Sequence, residues 1–352
     1  MIKKTIIILA VFLAGCTSNK TLKHPLDKSK SKTVVLENGL KVYLLSDPSF
    51  NVSAASVSVE VGSLDNPDDR QGLAHFLEHM LFLGTEKYPD VDEYSSYLKT
   101  YGEYSNAYTA SDHTNYQFQV LPDGFEGALD RFSQFFISPL FTEEYTAREV
   151  NAVNSEHQKN MLNDNWRQFR ISSLFAKDGH PERKFGTGNL ETLGDITREE
   201  LIDFYKQHYS ANRMGVALLS THSLEDMESW CRQYFSSVKN RNLNRNTYDP
   251  NFLEKKETFR LIQIDPVKDV RNLNLLFSLP STRNLYKSKP GRQFGFILGY
   301  EGRGSLLSYL KQKGWALSLS AGAGSETSDY GNASVRIGLT EEGLKNYKDV
   351  IK

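Results

Sequence analysis

Two imidazoles and a carboxylate interrupt an otherwise apolar run at Gly72-Leu73-Ala74-His75-Phe76-Leu77-Glu78-His79-Met80-Leu81-Phe82-Leu83-Gly84. At about 100° per residue of helix, His75 and His79 fall about 40° apart on one face and one turn from each other, the pairing that two ligands of one metal ion need. Glu78 falls about 60° to the other side of His75, where its carboxylate can handle a proton of a metal-bound water without being a ligand. The surrounding Leu73, Phe76, Leu77, Met80, Leu81 and Phe82 would bury most of such a helix. Enclosed imidazole and carboxylate without partners cost several kcal/mol, so the three polar groups are expected to meet a metal. At ordinary residue frequencies this His-x-x-Glu-His spacing arises by accident in roughly one chain of this length in a hundred.

A zinc site needs a third protein ligand and an open position for water. Residues 142–164 read as a helix, and it carries two candidates, Glu149 and Glu156. Seven positions apart, they lie within about 20° of one face but about 10 Å apart along the axis, so both cannot bind one ion directly. Spacing alone does not choose between them.

His-x-x-Glu-His is the inverted zinc-protease order, and the chain resembles the pitrilysin and insulin-degrading-enzyme family of zinc metallopeptidases. The resemblance extends to Ser105-Asn106-Ala107, His113-Thr114-Asn115-Tyr116, Glu126-Gly127-Ala128-Leu129-Asp130-Arg131-Phe132 and Arg148-Glu149-Val150-Asn151-Ala152-Val153. It also takes in Lys184-Phe185-Gly186-Thr187-Gly188-Asn189 and Gly302-Arg303-Gly304-Ser305-Leu306-Leu307, and covers residue 33 to the end of the chain. It implies one Zn2+ per chain held by His75, His79 and Glu156, with Glu78 as catalytic base and Glu149 as a supporting acid nearby. It further implies that the strand bearing Ser105, Asn106, Ala107 and Tyr108 holds the substrate. That agrees with the physics of peptide capture, because pairing to a sheet edge binds an extended backbone with little demand on sequence.

The elements that must position these residues follow along the chain. Lys3 and Lys4 precede an apolar run at 6–14, too short to span a bilayer but suited to a secretory signal, and Leu13-Ala14-Gly15-Cys16 resembles a bacterial lipoprotein box. The expectation is a signal peptide at 1–15 and membrane attachment through an acylated Cys16, with Thr17 favouring the outer membrane facing the periplasm. Residues 16–32 read as a flexible tether. Of the two cysteines, only Cys231 then remains, so no internal disulfide is expected. The formal charge of −1 would become −3 on loss of the two leader lysines, too mild to indicate nucleic acid.

From residue 33 on, about 320 residues at 39% hydrophobic content are enough for two domains of about 150 residues each. Residues 34–45 read as a strand pair around Asn38-Gly39, and 54–61 alternates with Val57, Val59 and Val61 on one face. Asp65, Asp68 and Asp69 lack the spacing of a calcium loop and read as a turn. A helix over 92–101, closed by Gly102, precedes adjacent strands at 103–110 and 114–121. Tyr94, Tyr97, Tyr101, Tyr104 and Tyr108 are expected in the core or a pocket wall. Helices at 124–137, 142–164 and 198–208 and a buried strand at 214–219 follow, and the polar segment 239–250 marks the domain boundary. His24, His113, His157, His180, His208 and His222 show no second paired spacing. Ser96-Tyr97-Leu98-Lys99-Thr100-Tyr101-Gly102 recurs as Ser308-Tyr309-Leu310-Lys311-Gln312-Lys313-Gly314, this time with no His-x-x-Glu-His ahead of it.

The expected fold is therefore α+β, with two related domains, each a mostly antiparallel sheet packed with helices. They are a zinc-bearing domain at 33–245 and a second at 246–352 without the metal motif. The expected activity is zinc-dependent endopeptidase hydrolysis of short or unfolded peptides. The alternatives are a silent peptide-binding or partner subunit, which would have no need of Glu78, and a narrow-specificity processing peptidase. By resemblance, a C-terminal half or a partner chain is expected to complete a peptide chamber, since the sequence stops within a helix that begins near Thr340.

Overall fold

The structure, a computed structural model, describes residues 23–102, 104–253, 260–325 and 327–352. The expected leader and Cys16 lie outside the described residues. Lys30–Val35 (β1) and Lys41–Ser46 (β2) form the antiparallel hairpin around Asn38-Gly39, where Gly39 takes φ +83°. Strand β1 begins three residues inside the expected tether. Its alternating lysines suit an edge strand, and Lys32 ion-pairs with Glu228 across to a helix.

Ser53–Val59 (β3), Tyr104–Thr109 (β4), Thr114–Val120 (β5) and Met214–Ser220 (β6) complete a six-stranded sheet in the order β1-β2-β6-β3-β5-β4. Neighbours are antiparallel except β2 and β6. Val57 sits mid-sheet, opposite Tyr116 on one side and Val216 on the other. The helices of this part are Leu73–Met80 (α1), Glu93–Thr100 (α2), Phe125–Ser133 (α3), Glu143–Met161 (α4), Asp164–Ser173 (α5), Leu190–Leu193 (α6), Arg198–His208 (α7) and Leu224–Phe235 (α8).

Period-two alternation sends Ala55, Val57, Val59, Tyr116, Phe118, Val120, Val216 and Leu218 into one core with Phe76, Leu77, Phe125, Phe132 and Leu201. Each such large side chain taken fully out of water contributes about 1.5–3 kcal/mol, so α1 is fixed by its own apolar residues. Behind it, Phe82, Tyr94, Phe132 and Phe135 form an aromatic cluster with ring centroids 4.9–6.4 Å apart. The tyrosines divide: Tyr94 is core, whereas Tyr104 and Tyr108 are about half exposed on β4. Their expected burial fails because alternation along an edge strand turns them outward.

Asn272–Pro280 (β7), Ala316–Ser325 (β8) and Tyr330–Leu339 (β9) form a second, antiparallel sheet in the order β7-β9-β8. With it go Pro290–Leu298 (α9), Leu306–Gln312 (α10), Glu341–Lys345 (α11) and Tyr347–Ile351 (α12). The chain order β3-α1-α2-β4-β5 is thus repeated as β7-α9-α10-β8-β9, and the sheet order β3-β5-β4 as β7-β9-β8. The repeated heptapeptides fall at matching places, with Leu98 and Leu310 both buried and Gly102 and Gly314 both at φ +69° after their helices. The fold is α+β with two related units, and α9, the counterpart of α1, carries no histidine.

The connection between the units lies along the first. Asn212 Nδ2 donates to Leu243 O at 2.8 Å, and Asp65 accepts from Tyr248 Oη at 2.9 Å and from Gly62 N at 2.8 Å. Asp65 thus caps its own turn and holds the connecting segment.

Candidate metal centre

Helix α1 starts at Gly72, whose φ of +94° and ψ of 0° only glycine adopts without strain. The turn brings Gly72 against Gly188, so closely that a Cβ on Gly72 would stand 2.3 Å from Gly188 Cα. Asn66 Oδ1 accepts from Ala74 N at 2.8 Å and satisfies one of the first-turn amides. The close approach of the two glycines sets Thr187 O 2.8 Å from His75 Nδ1. A carbonyl can only accept, so Nδ1 carries the proton and the Nε2 lone pair of His75 points the other way.

Gly72→Ala is expected to destabilise the fold by about 2 kcal/mol or more, the cost of a positive φ plus backbone overlap. Because the overlap displaces Thr187, it should also weaken metal binding. Denaturant unfolding and a metal titration of the variant read the two effects separately, and wild-type values in both would refute this account of the turn.

The helix presents His75 and His79 with ring centroids 4.8 Å apart. From α4, Glu156 Oε2 comes to 3.5 Å from His75 Nε2 and 3.9 Å from His79 Nε2. Glu149, two turns earlier, lies on the far side of His79, with Oε2 3.5 Å from Nδ1 and Oε1 accepting from Arg148 Nε at 3.1 Å. A carboxylate at Nδ1 favours the tautomer with its proton there, which again leaves Nε2 as the acceptor. Two imidazole lone pairs and a carboxylate oxygen therefore face one another, with all ligand atoms within 4.8 Å. A proton on one ring would relieve one contact; a cation relieves all three. Tetrahedral zinc bonded at about 2.0–2.1 Å spaces its ligands about 3.3–3.4 Å apart, and a two-nitrogen, one-carboxylate set suits zinc better than magnesium or calcium. The residues fit such an ion.

Electrostatics set Glu78, His79 and Glu149 apart. Glu78 is 6% exposed, and burial pushes its carboxyl up, while the His75 ring and the Thr109 hydroxyl pull it part of the way back. Thr109 Oγ1 donates to Glu78 Oε2 at 2.5 Å. Burial opposes charging of His79, yet the hydrogen bond to Glu149 and the nearby carboxylates outweigh it and leave the ring's pKa raised. The same contact with His79 holds Glu149 below the usual glutamate range. A cation arriving at His79 Nε2 leaves the Nδ1 contact in place, so Glu149 can steady the ring in either state.

Ser105, Asn106, Ala107 and Tyr108 lie on β4, which pairs with β5 and forms one end of the sheet. Helix α1 packs against β4, so the strand runs beside the histidines. The contacts that Thr187, Thr109 and Asn66 make at the site are not legible in the sequence. Glycines on both sides of Thr187 were the one available signal of a close backbone approach; nothing local to Thr109 or Asn66 marks them.

A family described as insulinase, peptidase family M16, matches residues 41–178, and the M16 inactive domain matches residues 195–352. The human insulin-degrading enzyme is 44% identical over 340 residues, 95% of this chain and 33% of its own. A relative from Arabidopsis thaliana, insulin-degrading enzyme-like 1, peroxisomal, is 42% identical over 94% of this chain and 35% of its own. The crystal structure of pitrilysin superposes with a TM-score of 0.89 at 30% identity, over 95% of this chain and 36% of that one. The chain spans about a third of the length of these curated relatives.

The expected address in a bacterial outer membrane is corrected by these relatives, one of which is named as peroxisomal. Among the described residues, no helix is long and apolar enough to cross a membrane. The envelope expectation rested on Lys3 and Lys4, the apolar run at 6–14, the Leu13-Ala14-Gly15-Cys16 box and Thr17, all ahead of the matched residues.

Proposed function

The chain belongs to the M16 insulinase family of peptidases, and from that premise we propose that it is a zinc-dependent endopeptidase acting on short or unfolded peptides. Residues 33–245 would bear the metal, and residues 246–352 would form the related unit without it. The observation that carries this reading is the convergence of three acceptors, His75 Nε2, His79 Nε2 and Glu156 Oε2, which a cation reconciles. In this reading those three hold one Zn2+ per chain and Glu149 orients His79. When bound, zinc supplies Lewis acidity, polarising a peptide carbonyl and making a water easier to deprotonate.

Glu78 performs the proton transfers. Its carboxylate takes a proton from the water as the water oxygen bonds to the carbonyl carbon, and returns that proton to the amide nitrogen as the C–N bond breaks. Burial, which raises its pKa, strengthens it as a base. Thr109 fixes one carboxylate oxygen and leaves the other for the water. The outer edge of β4, at Ser105–Tyr108, pairs with the extended peptide backbone and presents the scissile bond. A relative's name, insulin-degrading enzyme, supports a peptide substrate. Two thirds of such relatives' length lies outside the matched stretch, and we propose that a C-terminal half or partner chain closes over the bound peptide.

Purified protein should cleave a quenched fluorescent peptide, lose that activity on chelation, and regain it with one equivalent of zinc per chain. Activity that survives removal of the metal would defeat the proposal. Zinc binding without hydrolysis, even once the C-terminal half or partner chain is supplied, would instead favour a silent peptide-binding subunit. The buried contact between Glu78 and Thr109 argues against that reading, because capture alone needs no base.

A further inference from the structure

The turn that joins β4 to β5, residues 110–113, is held from two directions. From the first unit, Ser63 N donates to Ala110 O at 2.9 Å and Leu64 N to Ser111 O at 3.0 Å. The approach is so close that a Cβ on Gly62 would lie 2.4 Å from both carbonyl oxygens. From the second unit, Arg283 grips Asp112 with Nη1 to Oδ2 at 2.9 Å and Nη2 to Oδ1 at 3.0 Å. Ser328 adds its backbone N at 2.8 Å and its Oγ at 3.0 Å. Asp112 is 8% exposed, and its neighbour His113 contributes Nδ1 at 2.9 Å. Burial alone would raise the Asp112 carboxyl; the donors His113, Arg283 and Ser328 instead hold it far below the usual range.

That turn ends the strand on which the site depends. Thr109, immediately before it, donates to Glu78, and Thr114, immediately after it, donates through Oγ1 to Val61 O at 2.8 Å. His113 Nε2 lies 3.4 Å from the hydroxyl of Tyr108. An unbroken path therefore runs from Arg283 through Asp112 and the turn to the carboxylate of Glu78 and the outer edge of β4. A cavity of about 310 Å³ beside this contact is lined by Arg213, Arg245 and Arg283. Each already faces a carboxylate, from Glu60, Asp329 and Asp112 respectively, so the cavity is charge-compensated and makes no demand for an anion.

We propose that Arg283 is a positioning residue for peptide hydrolysis: through its two-pronged contact with Asp112, the second unit holds the β4–β5 turn so that Glu78 and the peptide-pairing edge keep their working arrangement. The proposal rests on the reading of Glu78 as base and β4 as peptide-binding edge. It gives the unit without a metal motif a part in the chemistry of the other. A planar guanidinium matches a carboxylate with two parallel bonds, so orientation is fixed as well as distance. Misplacement of a reacting group by about 1 Å can cost about a hundredfold in rate.

The test compares wild type, Arg283→Gln, Arg283→Lys, Asp112→Asn and the Arg283→Gln/Asp112→Asn double variant, all zinc-loaded and well below their unfolding temperatures. Arg283→Gln and Asp112→Asn should each lower kcat on a quenched fluorescent peptide by about ten- to a hundredfold at unchanged zinc stoichiometry, with the double variant no worse than either. Arg283→Lys, with one point of attachment, should recover only part of the loss. Amide exchange should quicken about tenfold over residues 104–113 and stay unchanged over 214–220. If Arg283→Gln lowers the unfolding temperature but keeps wild-type kcat per zinc and wild-type exchange in β4, the pair is structural only and the proposal falls. Should Arg283→Gln not fold, Asp112→Asn, nearly equal in shape, carries the same comparison. A zinc-loaded wild type without hydrolysis, even after the C-terminal half or partner chain is supplied, would defeat the peptidase reading. The exchange measurement then decides this proposal on its own, unchanged protection of residues 104–109 overturning it.

Discussion

Glu78→Gln should keep one zinc per chain and lose peptide hydrolysis by about a hundred- to ten-thousandfold, the range a positioned general base contributes. The substitution preserves size, and the amide oxygen can still accept from Thr109 Oγ1, now 2.5 Å from Glu78 Oε2. What it removes is the ability to take a proton. His75, His79 and Glu156 are untouched, so metal analysis of the variant separates loss of the base from loss of the site. A zinc-free Glu78→Gln protein would show that Glu78 belongs to the ligand set, and a fully active one would refute the mechanism.

The same variant has a stability signature with a defined sign. Because the folded protein raises the Glu78 pKa through burial, the wild-type residue contributes its stability below the unfolded value of about 4.3 and loses it as pH rises through the folded value. Glutamine carries no such pH dependence. Measured on chelator-stripped protein, Glu78→Gln should be the more stable form at pH 7, with an advantage that vanishes as pH falls below about 4. A variant less stable than wild type at pH 7 would show that Glu78 is stabilised in its charged form.

Replacing Glu156 by Gln should weaken zinc binding by about a thousandfold or more, whereas Glu149→Gln should weaken it by about ten- to a hundredfold. The difference follows from the positions of the two side chains. Glu156 Oε2 lies 3.5 and 3.9 Å from the two Nε2 atoms, so a neutral amide there would take the one charged member out of the proposed ligand set. Glu149 touches His79 at Nδ1, and its loss frees the ring to turn without removing a ligand. Competition with a chromophoric chelator gives both affinities. His75→Ala or His79→Ala should abolish binding altogether, each leaving two donors where an ion needs three. An inverted order, with Glu149→Gln the more severe, would mean that the ligand set has been drawn around the wrong glutamate.

What could be read from the residues alone was whatever depends on local periodicity. Three polar groups in an apolar helix placed His75 and His79 on one face, and the structure finds their rings 4.8 Å apart. Alternation at Val57, Val59 and Val61 and at Tyr116, Phe118 and Val120 marked strands whose buried faces form one core. The repeated heptapeptides at Gly102 and Gly314 announced two related units, down to the same positive φ after each helix. These features follow from the 3.6-residue and two-residue repeats of the backbone, which a sequence carries explicitly.

Tertiary structure decided everything that depends on which segments meet. Spacing along α4 could not say which of Glu149 and Glu156 approaches the two Nε2 atoms, because residues seven apart share a helix face; the way α4 lies against α1 puts Glu156 there and Glu149 at His79 Nδ1. Nor could the sequence tell which tyrosines the core accepts: Tyr94 is buried and Tyr108 is not, since an edge strand turns alternate side chains outward. Thr187, 112 residues from His75, and Arg283, 171 residues from Asp112, carry no local sign of their partners. Their contacts arise because two glycines let one backbone touch another and because the repeat sets a second unit against the first, and neither cause is written in the neighbouring residues.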